Sequence, residues 1–505
     1  MPSPIMPAAM PEQMGVRSAS LSALLTAIET EHPAAIHGMQ ILRHGHTILD
    51  ACWKPYTNNC VRTMMSLTKT LTSLAIGLLM DDGKLKLEDH IVDFFPKEAA
   101  RYRLDPRMKD MTVHHLLTMN AGFPENISGC GTWSQRSWND LKTFLELPLV
   151  YAPGERFVYN SGAAHMCSML VTRLAGESEA RFVQRRLFDP LGIHDVIWDA
   201  DNLGNSTGGW GSNLSLNDMS RIGQLLLNNG VWEGRRLISG EYLRLATAPQ
   251  VRSAPRSFGA NHYGYFMWID PGESFALNGA FGQLVVVYPK CDMVISLQMA
   301  NSDDAQSRTN AFVYGTEANG GKGYFDRFLF CDLSDEPLAE NAGGQAALRD
   351  QIAALDIGRM AYNESPAEKS IGSHVYEMAE NTQGISRIAL SFSEDAVTYS
   401  QIDESGTHSI CCGKGAWRDG TTDMTGKVLH HNRVFDPMKV SGLAFWEDAD
   451  TLILRWAFLQ MPFVDTVRIR YVGQKILVRR SVNISTPNTN NGATSLPTIW
   501  GSAID

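Results

Sequence analysis

The chain has 505 residues, of which 44% are hydrophobic and 19% charged, and its formal net charge is -10. At roughly 150 residues per domain the length predicts two or three domains, and the apolar content excludes a wholly disordered chain. An acidic balance disfavours nucleic acid and a basic membrane-surface protein. No apolar run reaches the ~18–20 residues needed to span a bilayer, so we expect no membrane partner.

Eight cysteines are scattered along the chain without a Cys-x-x-Cys pair. This spacing disfavours a zinc ribbon and predicts free thiols in a reducing compartment. Residues 1–17 show no positively charged cluster followed by an apolar core, which a secretory signal would need. The expected location is therefore cytoplasmic.

The first elements in chain order are a hairpin and a series of helices. Residues 38–50 alternate around a turn at His44-Gly45, which predicts a β-hairpin. Apolar side chains at helical spacing predict helices over 66–80 and 112–119, and then over 163–175 and 216–227. Glycine follows several of these helices, as is typical of a helix end.

Strand patterns then return. Residues 266–269 form a short apolar run, and 283–297 predict a hairpin that turns at 289–292. Strands thus begin and end the first 335 residues, with helices between them. This order predicts an α+β domain, in which one antiparallel sheet flanked by helices carries an all-α insertion.

The remainder of the chain has a different composition. Residues 336–370 are rich in Ala, Gly, Glu and Asp and predict a linker, with one helix at 346–355. Short alternating runs at 385–392, 451–458 and 467–478 then predict a small all-β barrel or sandwich over 371–485. Residues 486–505 are rich in Ser, Thr, Asn and Pro and predict a flexible tail.

Ser66 and Lys69 are the first candidates for chemistry. They form the only Ser-x-x-Lys of the chain and open its most apolar helix. A spacing of three residues places both side chains on one helix face. A serine hydroxyl needs a base to become a nucleophile, and a lysine whose pKa is lowered by burial can serve. A serine N-cap beside an exposed lysine is the alternative for this pair.

Two further segments add polar groups. Tyr159-Asn160-Ser161 precedes the helix predicted at 163–175, so Tyr159 could act as a second proton-transfer group, or be a core aromatic. Asn278-Gly279-Ala280 stands at the edge of a predicted strand. There glycine allows a substrate to approach the backbone, and an N–H group could join that of Ser66 as an oxyanion hole. A β-bulge would explain the same glycines.

The order of these segments resembles the serine β-lactamase and penicillin-binding-protein superfamily. It is most similar to the branch of class C β-lactamases, family VIII carboxylesterases and D-aminopeptidases. The similar segments also include positions away from the candidate site and together cover about residues 17–335; they are 66–77, 82–89, 111–122, 188–193, 223–230 and 282–289.

The resemblance implies roles for individual residues. Ser66 would be the acylated nucleophile, Lys69 its base, Tyr159 the tyrosine of the Tyr-x-Asn motif, and Ala280 the second oxyanion-hole donor. Ser161 stands where that motif has Asn, so either Asn160 replaces the amide or Ser161 suffices. The resemblance also covers two further positions. Leu277 stands where the third motif has Lys or His, and Trp210 lies in the glycine-rich segment 208–211, which is expected to line the cleft.

The missing cation favours a neutral ester, amide or thioester over a β-lactam or D,D-peptide. The resemblance therefore implies a serine hydrolase acting through an acyl-enzyme on a small-molecule or peptide acyl substrate. An acyltransferase or thioesterase-cyclase and a non-catalytic acyl-ligand binder are the alternatives. The C-terminal module resembles the lipocalin-like domain of some superfamily members, with a lid or a homodimer contact as the alternative. No metal or cofactor is implied.

Overall fold

The computed structural model describes residues 6–31, 35–124, 141–253, 261–301, 322–358, 360–366, 374–430, 434–484 and 494–504, with Val313 and Glu368. The chain divides into two compact units. The first comprises Met1–Cys52 and Asn58–Ala354, and the second comprises Trp53–Thr57 and Leu355–Asp505. The predicted domain boundaries themselves stay predictions.

The first unit combines helices with one large sheet. Its helices are α1 Ser18–Glu31, α2 Thr68–Asp81, α3 Pro96–Arg101, α4 Val113–Leu117, α5 Leu141–Glu146, α6 Ser161–Ala175, α7 Glu179–Val183, α8 Asp189–Leu191, α9 Leu216–Leu227, α10 Gly240–Ala246, α11 Tyr324–Phe328 and α12 Ala342–Ala354. Its strands are β1 Ile36–Arg43, β2 His46–Cys52, β3 Arg62–Thr63, β4 Ile197–Trp198, β5 Ser212–Leu214, β6 Val231–Trp232, β7 Arg235–Arg236, β8 Val251–Arg252, β9 His262–Tyr263, β10 Trp268–Asp270, β11 Ser274–Gly279, β12 Gln283–Tyr288 and β13 Met293–Met299.

The main sheet has the order β2-β1-β13-β12-β11-β10-β9-β8, and its pairings are antiparallel. Both predicted hairpins are confirmed, since β1 pairs with β2 and β12 pairs with β13. The sheet joins strands from the two ends of the unit, and the helical segment lies between them in sequence. The predicted α+β class is therefore correct.

Helix α9 shows why the helices pack closely on this sheet. A Cβ atom on Gly223 would lie 2.5 Å from Val294 Cγ1 and 2.8 Å from Val285 Cγ1. Both valines belong to the central strands β12 and β13. Only glycine allows the helix backbone to approach the sheet so closely. The helix bounds equal the prediction of 216–227, because the apolar spacing and the Ser215 cap both mark them.

The second unit is a closed β-barrel. Its strands are β14 His374–Met378, β15 Arg387–Phe392, β16 Ala396–Asp403, β17 Gly406–Lys414, β18 Arg418–Thr422, β19 Met438–Trp446, β20 Thr451–Phe458, β21 Val464–Val472, β22 Lys475–Val482 and β23 Ile499–Ile504. Nine of them, β14–β17 and β19–β23, form a ring that the parallel pairing of β17 with β19 closes. The prediction of a small all-β barrel is confirmed, and a lipocalin-like relationship stays a prediction.

Two details differ from the sequence prediction. Helix α12 forms hydrogen bonds to α1 through Gln351, which accepts from Ser22 Oγ, so this part of the predicted linker packs on the first unit. Strand β23 pairs with β14 and β22, so residues 499–504 of the predicted tail belong to the barrel. The prediction missed β23 because it is short and lies beyond a Ser-, Thr- and Asn-rich segment.

Two predictions from composition can be compared with the structure. The described cysteines are free thiols, and Cys130 lies outside the described residues. Within the described ranges, no helix has both the length and the apolar character needed to cross a bilayer.

Candidate active site

Ser66 lies at the entrance of α2, a helix whose residues 68–79 are all buried. A 3-10 turn, Met65–Leu67, leads directly into α2, and Ser66 is half-buried in this turn. Met65 has a φ of 50°, a left-handed conformation that is costly for a residue with a side chain. Strain of this kind persists only where the surroundings impose it. The backbone therefore holds Ser66 in a fixed position at the helix entrance.

Lys69 is buried one turn beyond Ser66. Its ammonium Nζ donates to Ser66 Oγ at 3.0 Å, to Ser161 Oγ at 3.0 Å and to the Gly209 carbonyl at 2.7 Å. Only 1% of the residue is exposed. Burial disfavours the charged form and lowers the pKa of Lys69 to about 7. A lysine with this pKa is partly neutral at physiological pH and can accept a proton.

Tyr159 is the second titratable group at this point. Its ring centroid lies 4.8 Å from Lys69 Nζ, and its hydroxyl lies near the Ser66 side chain. The ring also stacks on Trp268, with centroids 5.9 Å apart and an angle of 18° between the planes. Burial raises the pKa of Tyr159 to about 12, although the nearby Ser66 hydroxyl acts to lower it. The phenol therefore keeps its proton in the neutral range.

Ser161 and Asn160 play different structural parts. Ser161 Oγ accepts the second hydrogen bond of Lys69, which is the contact that orients the ammonium from α6. Asn160 Oδ1 accepts from Gly162 N at 2.8 Å and so caps α6. The sequence leaves open whether Asn160 or Ser161 takes the place of the motif's Asn. In the structure, Ser161 is the one that contacts Lys69.

The glycine-rich segment, residues 208–211, packs between α2 and α6, and its role in lining a cleft stays a prediction. A Cβ on Gly208 would lie 2.4 Å from the Ala164 carbonyl, and one on Gly209 would lie 2.9 Å from the Ser161 carbonyl. Thr72 Oγ1 donates to the Gly208 carbonyl at 2.8 Å. Trp210 is half-buried and stacks on His165 of α6, with centroids 6.3 Å apart. The segment thus places a carbonyl against Lys69.

The end of strand β11 lies against the turn that carries Ser66. A Cβ on Gly279 would lie 2.0 Å from the Met64 carbonyl and 3.2 Å from Leu67 N. Only glycine permits this approach. Ala280 follows at an exposed position, and Asn278 is 8% exposed with no partner for Nδ2 in the described part of the chain. Leu277 is apolar and fully buried, so this position of β11 supplies no charged group to the site.

One buried acid near the site was missed by the sequence reasoning. Glu179 at the start of α7 is 0% exposed. The hydroxyls of Thr72 and Ser168 lie near its carboxyl group, although no well-aligned hydrogen bond reaches either oxygen within the described ranges. Burial raises the pKa of Glu179 to about 7. Glu179 follows Ser178, a helix N-cap, and that pattern predicts an exposed first-turn acid.

We expect Glu179→Gln to stabilise the protein at high pH. A carboxyl group whose folded pKa lies above its unfolded value favours folding when protonated, and that contribution is lost as pH rises through about 7. The amide stays neutral at every pH. The free energy of unfolding of the variant should therefore exceed that of the original protein by up to roughly 3 kcal/mol above pH 7 and by little below pH 5. Urea unfolding measures this difference.

Glu29→Gln on the exposed side of α1 is the control for this comparison. It should change the free energy of unfolding by less than about 0.5 kcal/mol at either pH. Equal stability of Glu179→Gln and the original protein at high pH would contradict the assignment of a buried neutral acid.

The structure therefore brings together Ser66, Lys69, Tyr159 and Ser161. The end of β11 lies against the turn that carries Ser66, and the Gly209 carbonyl of the glycine-rich segment contacts Lys69. Among the predicted site residues, Asn160 caps a helix and Trp210 packs on His165. An antiparallel sheet, with the turn that carries the serine of a Ser-x-x-Lys pair lying against the end of an internal strand, defines the class of serine β-lactamase-like folds.

Residues 25–319 match the sequence model of the Beta-lactamase family, and the chain belongs to that family. The chain is 27% identical to lovastatin esterase of Penicillium rubens over 169 residues, which cover 30% of this chain and 42% of the esterase. It is 24% identical to protein Rv1367c of Mycobacterium tuberculosis over 354 residues, covering 55% of this chain and 86% of that protein. A solved family VIII carboxylesterase aligns with a TM-score of 0.47 and 15% identity, covering 61% of this chain and 98% of that chain.

Proposed function

We propose that the protein is a serine hydrolase that acts on neutral carboxylic esters or amides through an acyl-enzyme on Ser66. The observation that carries this proposal is the contact of Lys69 Nζ with Ser66 Oγ at 3.0 Å, in a setting where the pKa of the lysine falls to about 7. A neutral lysine at this distance can accept the serine proton as the hydroxyl attacks.

The first half-reaction forms the acyl-enzyme. Ser66 Oγ attacks the carbonyl carbon while its proton passes to Lys69, and the tetrahedral oxyanion accepts hydrogen bonds from the backbone N–H groups of Ser66 and Ala280. As the carbon–oxygen or carbon–nitrogen bond breaks, the leaving group takes a proton. Tyr159 supplies it, because its phenol is protonated and lies beside Ser66 and Lys69, and Lys69 restores the phenol proton.

The second half-reaction returns the free enzyme. A water molecule attacks the acyl carbonyl, and its proton passes to the neutral amine of Lys69. The bond between the acyl carbon and Ser66 Oγ then breaks, and Lys69 returns the proton to Ser66 Oγ. Transfer to an alcohol or amine would use the same groups with a different attacking molecule.

The substrate preference follows from the side chains around Ser66. The third-motif position holds the buried Leu277, so a substrate carboxylate would have no cation to pair with there. Aromatic rings pack behind Tyr159, with Trp268 stacked on it and Tyr263 6.5 Å away. These features support uncharged esters and amides with apolar acyl groups.

Labelling with a fluorophosphonate probe tests the nucleophile. The original protein should react at one residue, and Ser66→Ala should abolish the label. Ser405→Ala is the control, because Ser405 is an exposed serine outside the candidate active site whose Oγ lies 2.9 Å from a potential base, His408 Nε2. Loss of label in Ser405→Ala, or undiminished label in Ser66→Ala, would refute the proposal.

A further inference from the structure

The last strands of the barrel differ in charge from the rest of the chain. Between Thr451 and Ile504 the sequence has six basic residues and one acidic residue, whereas the whole chain has a net charge of -10. The acid, Asp465, is fully buried and pairs with one of the bases, Arg480, inside the barrel. The basic surplus therefore lies on the outer surface of these strands.

Strand register places the outward basic residues around exposed apolar side chains. Arg470 is opposite Leu477, and Leu477 is opposite Trp500, so the three share one face of β21, β22 and β23. Arg468 lies opposite Arg479, and Val472 lies opposite Lys475, on the same face. We call these residues the basic outer face; its members are Arg468, Arg470, Val472, Lys475, Leu477, Arg479 and Trp500.

The apolar members of this face are in contact with solvent. Trp500 is 48% exposed, Val472 52% and Leu477 36%. Lys475 Nζ lies 5.1 Å from the centroid of the Trp500 ring. Burying these side chains at an interface would be favourable, and their exposure beside cations indicates a surface that contacts something both apolar and anionic.

Within the described part of the chain, three of the four cations of this face have no ion-pair partner. Arg468 pairs with Glu447. Across the described ranges, Arg470, Lys475 and Arg479 form no ion pair; Arg479 donates to Ser495 Oγ at 3.0 Å. Residues 485–493, which precede β23 and lie outside the described part, carry no charged residue. Three cations of this face thus lack an anionic partner among the described residues.

We propose that the basic outer face binds the surface of a bilayer that contains anionic lipid headgroups. Lys and Arg would contact the headgroups, while Trp500 and Leu477 would enter the interfacial layer, where an indole ring is favoured. The net negative charge of the whole chain predicts no membrane partner. Association with a bilayer, however, depends on the charge of the protein face that lies within a Debye length, about 10 Å, of the lipid surface.

The shape and composition of the face favour a bilayer over two other anionic partners. Single-stranded nucleic acid is bound by several stacked aromatic rings in a groove, whereas this face is the outside of a barrel with one exposed ring. A stable protein interface uses roughly 20–30 residues on each side, so the seven residues of the basic outer face would by themselves form only part of one. A membrane surface needs neither a groove nor a large matched area.

The test is cosedimentation of the full chain with vesicles. Vesicles with about one third phosphatidylglycerol in phosphatidylcholine should bind the protein, and vesicles of phosphatidylcholine alone should not. Arg470→Gln and Lys475→Gln should each lower the partition coefficient about fivefold, and both together about 25-fold. Trp500→Ser should also weaken binding. Binding should fall with added salt.

Lys439→Gln is the matched control, because Lys439 is an exposed lysine on β19 of the same barrel, outside the basic outer face. It should bind as the original protein does. None of these positions belongs to the candidate active site, so hydrolysis of a soluble ester should be unchanged in all variants, and circular dichroism should show that each is folded.

Three results would overturn the proposal. The first is no binding to the anionic vesicles, or equal binding to neutral ones. The second is equal loss in Lys439→Gln and Lys475→Gln. The third is tighter binding of a single-stranded oligonucleotide or of polyglutamate than of vesicles, weakened by the same substitutions, which would assign the face to nucleic acid or to an acidic protein.

Discussion

Replacing Lys69 by methionine is expected to lower kcat/KM for ester hydrolysis by about 10³–10⁴-fold and to stabilise the protein. The activity falls because methionine cannot accept the proton of Ser66 or donate to its oxygen. The stability rises because an unbranched apolar side chain replaces a buried amine that had to lose its hydration. Both effects originate in the burial of one side chain.

The stability gain should depend on pH with a definite sign. The folded pKa of Lys69 is about 7 and the model value is 10.5, so the unfolded chain binds the proton more tightly. At and below pH 7 the folded protein therefore carries the full free-energy cost of burying the Lys69 amine. That cost disappears as pH rises toward 10.5. Lys69→Met should be more stable by about 1–2 kcal/mol near pH 7 and by less near pH 10.

Urea unfolding at these two pH values and steady-state hydrolysis of a nitrophenyl ester measure both effects. Lys86→Met, an exposed lysine just beyond α2, is the control and should leave activity and stability unchanged. A variant that loses activity and also loses stability at pH 7 would contradict the account, because it would show that the three hydrogen bonds of Lys69 outweigh its desolvation.

The parts of the fold that the sequence predicts well are those with a regular apolar period. Strand β20 matches the run predicted at 451–458, and α9 matches 216–227, since alternation and helical spacing fix which face is buried. The Ser66–Lys69 contact was also predictable, because a spacing of three residues on one helix determines it without reference to the remainder of the chain.

The contacts that the sequence could not predict join distant segments. Lys69 meets the Gly209 carbonyl across 140 positions of sequence, and no periodicity encodes which carbonyl an ammonium will find. Glu179 has the pattern of a solvated helix start, yet packing against α2 and α6 buries it. Ser161 could be distinguished from Asn160 only when the entry of α6 was fixed, since adjacent residues point in different directions.

Tyr159→Phe is expected to lower kcat/KM by about 10²–10³-fold while leaving the pH dependence of the remaining activity in place. In the original protein kcat/KM should rise with pH through about 7, as Lys69 loses its proton, and reach a plateau. The pKa of Tyr159 is about 12, so the phenol keeps its proton along that plateau and acts as a donor. Removing it should lower the plateau and leave the midpoint near 7.

This result separates two assignments of the base. If the tyrosinate were the base, the rise of kcat/KM near pH 7 would disappear or shift in Tyr159→Phe. If the lysine is the base, the variant retains that rise at the same pH. The double variant Lys69→Met with Tyr159→Phe should be about as slow as Lys69→Met alone, because the tyrosine relays a proton that only the lysine can take up. Tyr263→Phe is the control: its ring lies 6.5 Å from that of Tyr159, and its loss should change the rate only a few-fold. Because Tyr159 stacks on Trp268, phenylalanine should keep the ring in place, so the loss in rate reports the hydroxyl group alone.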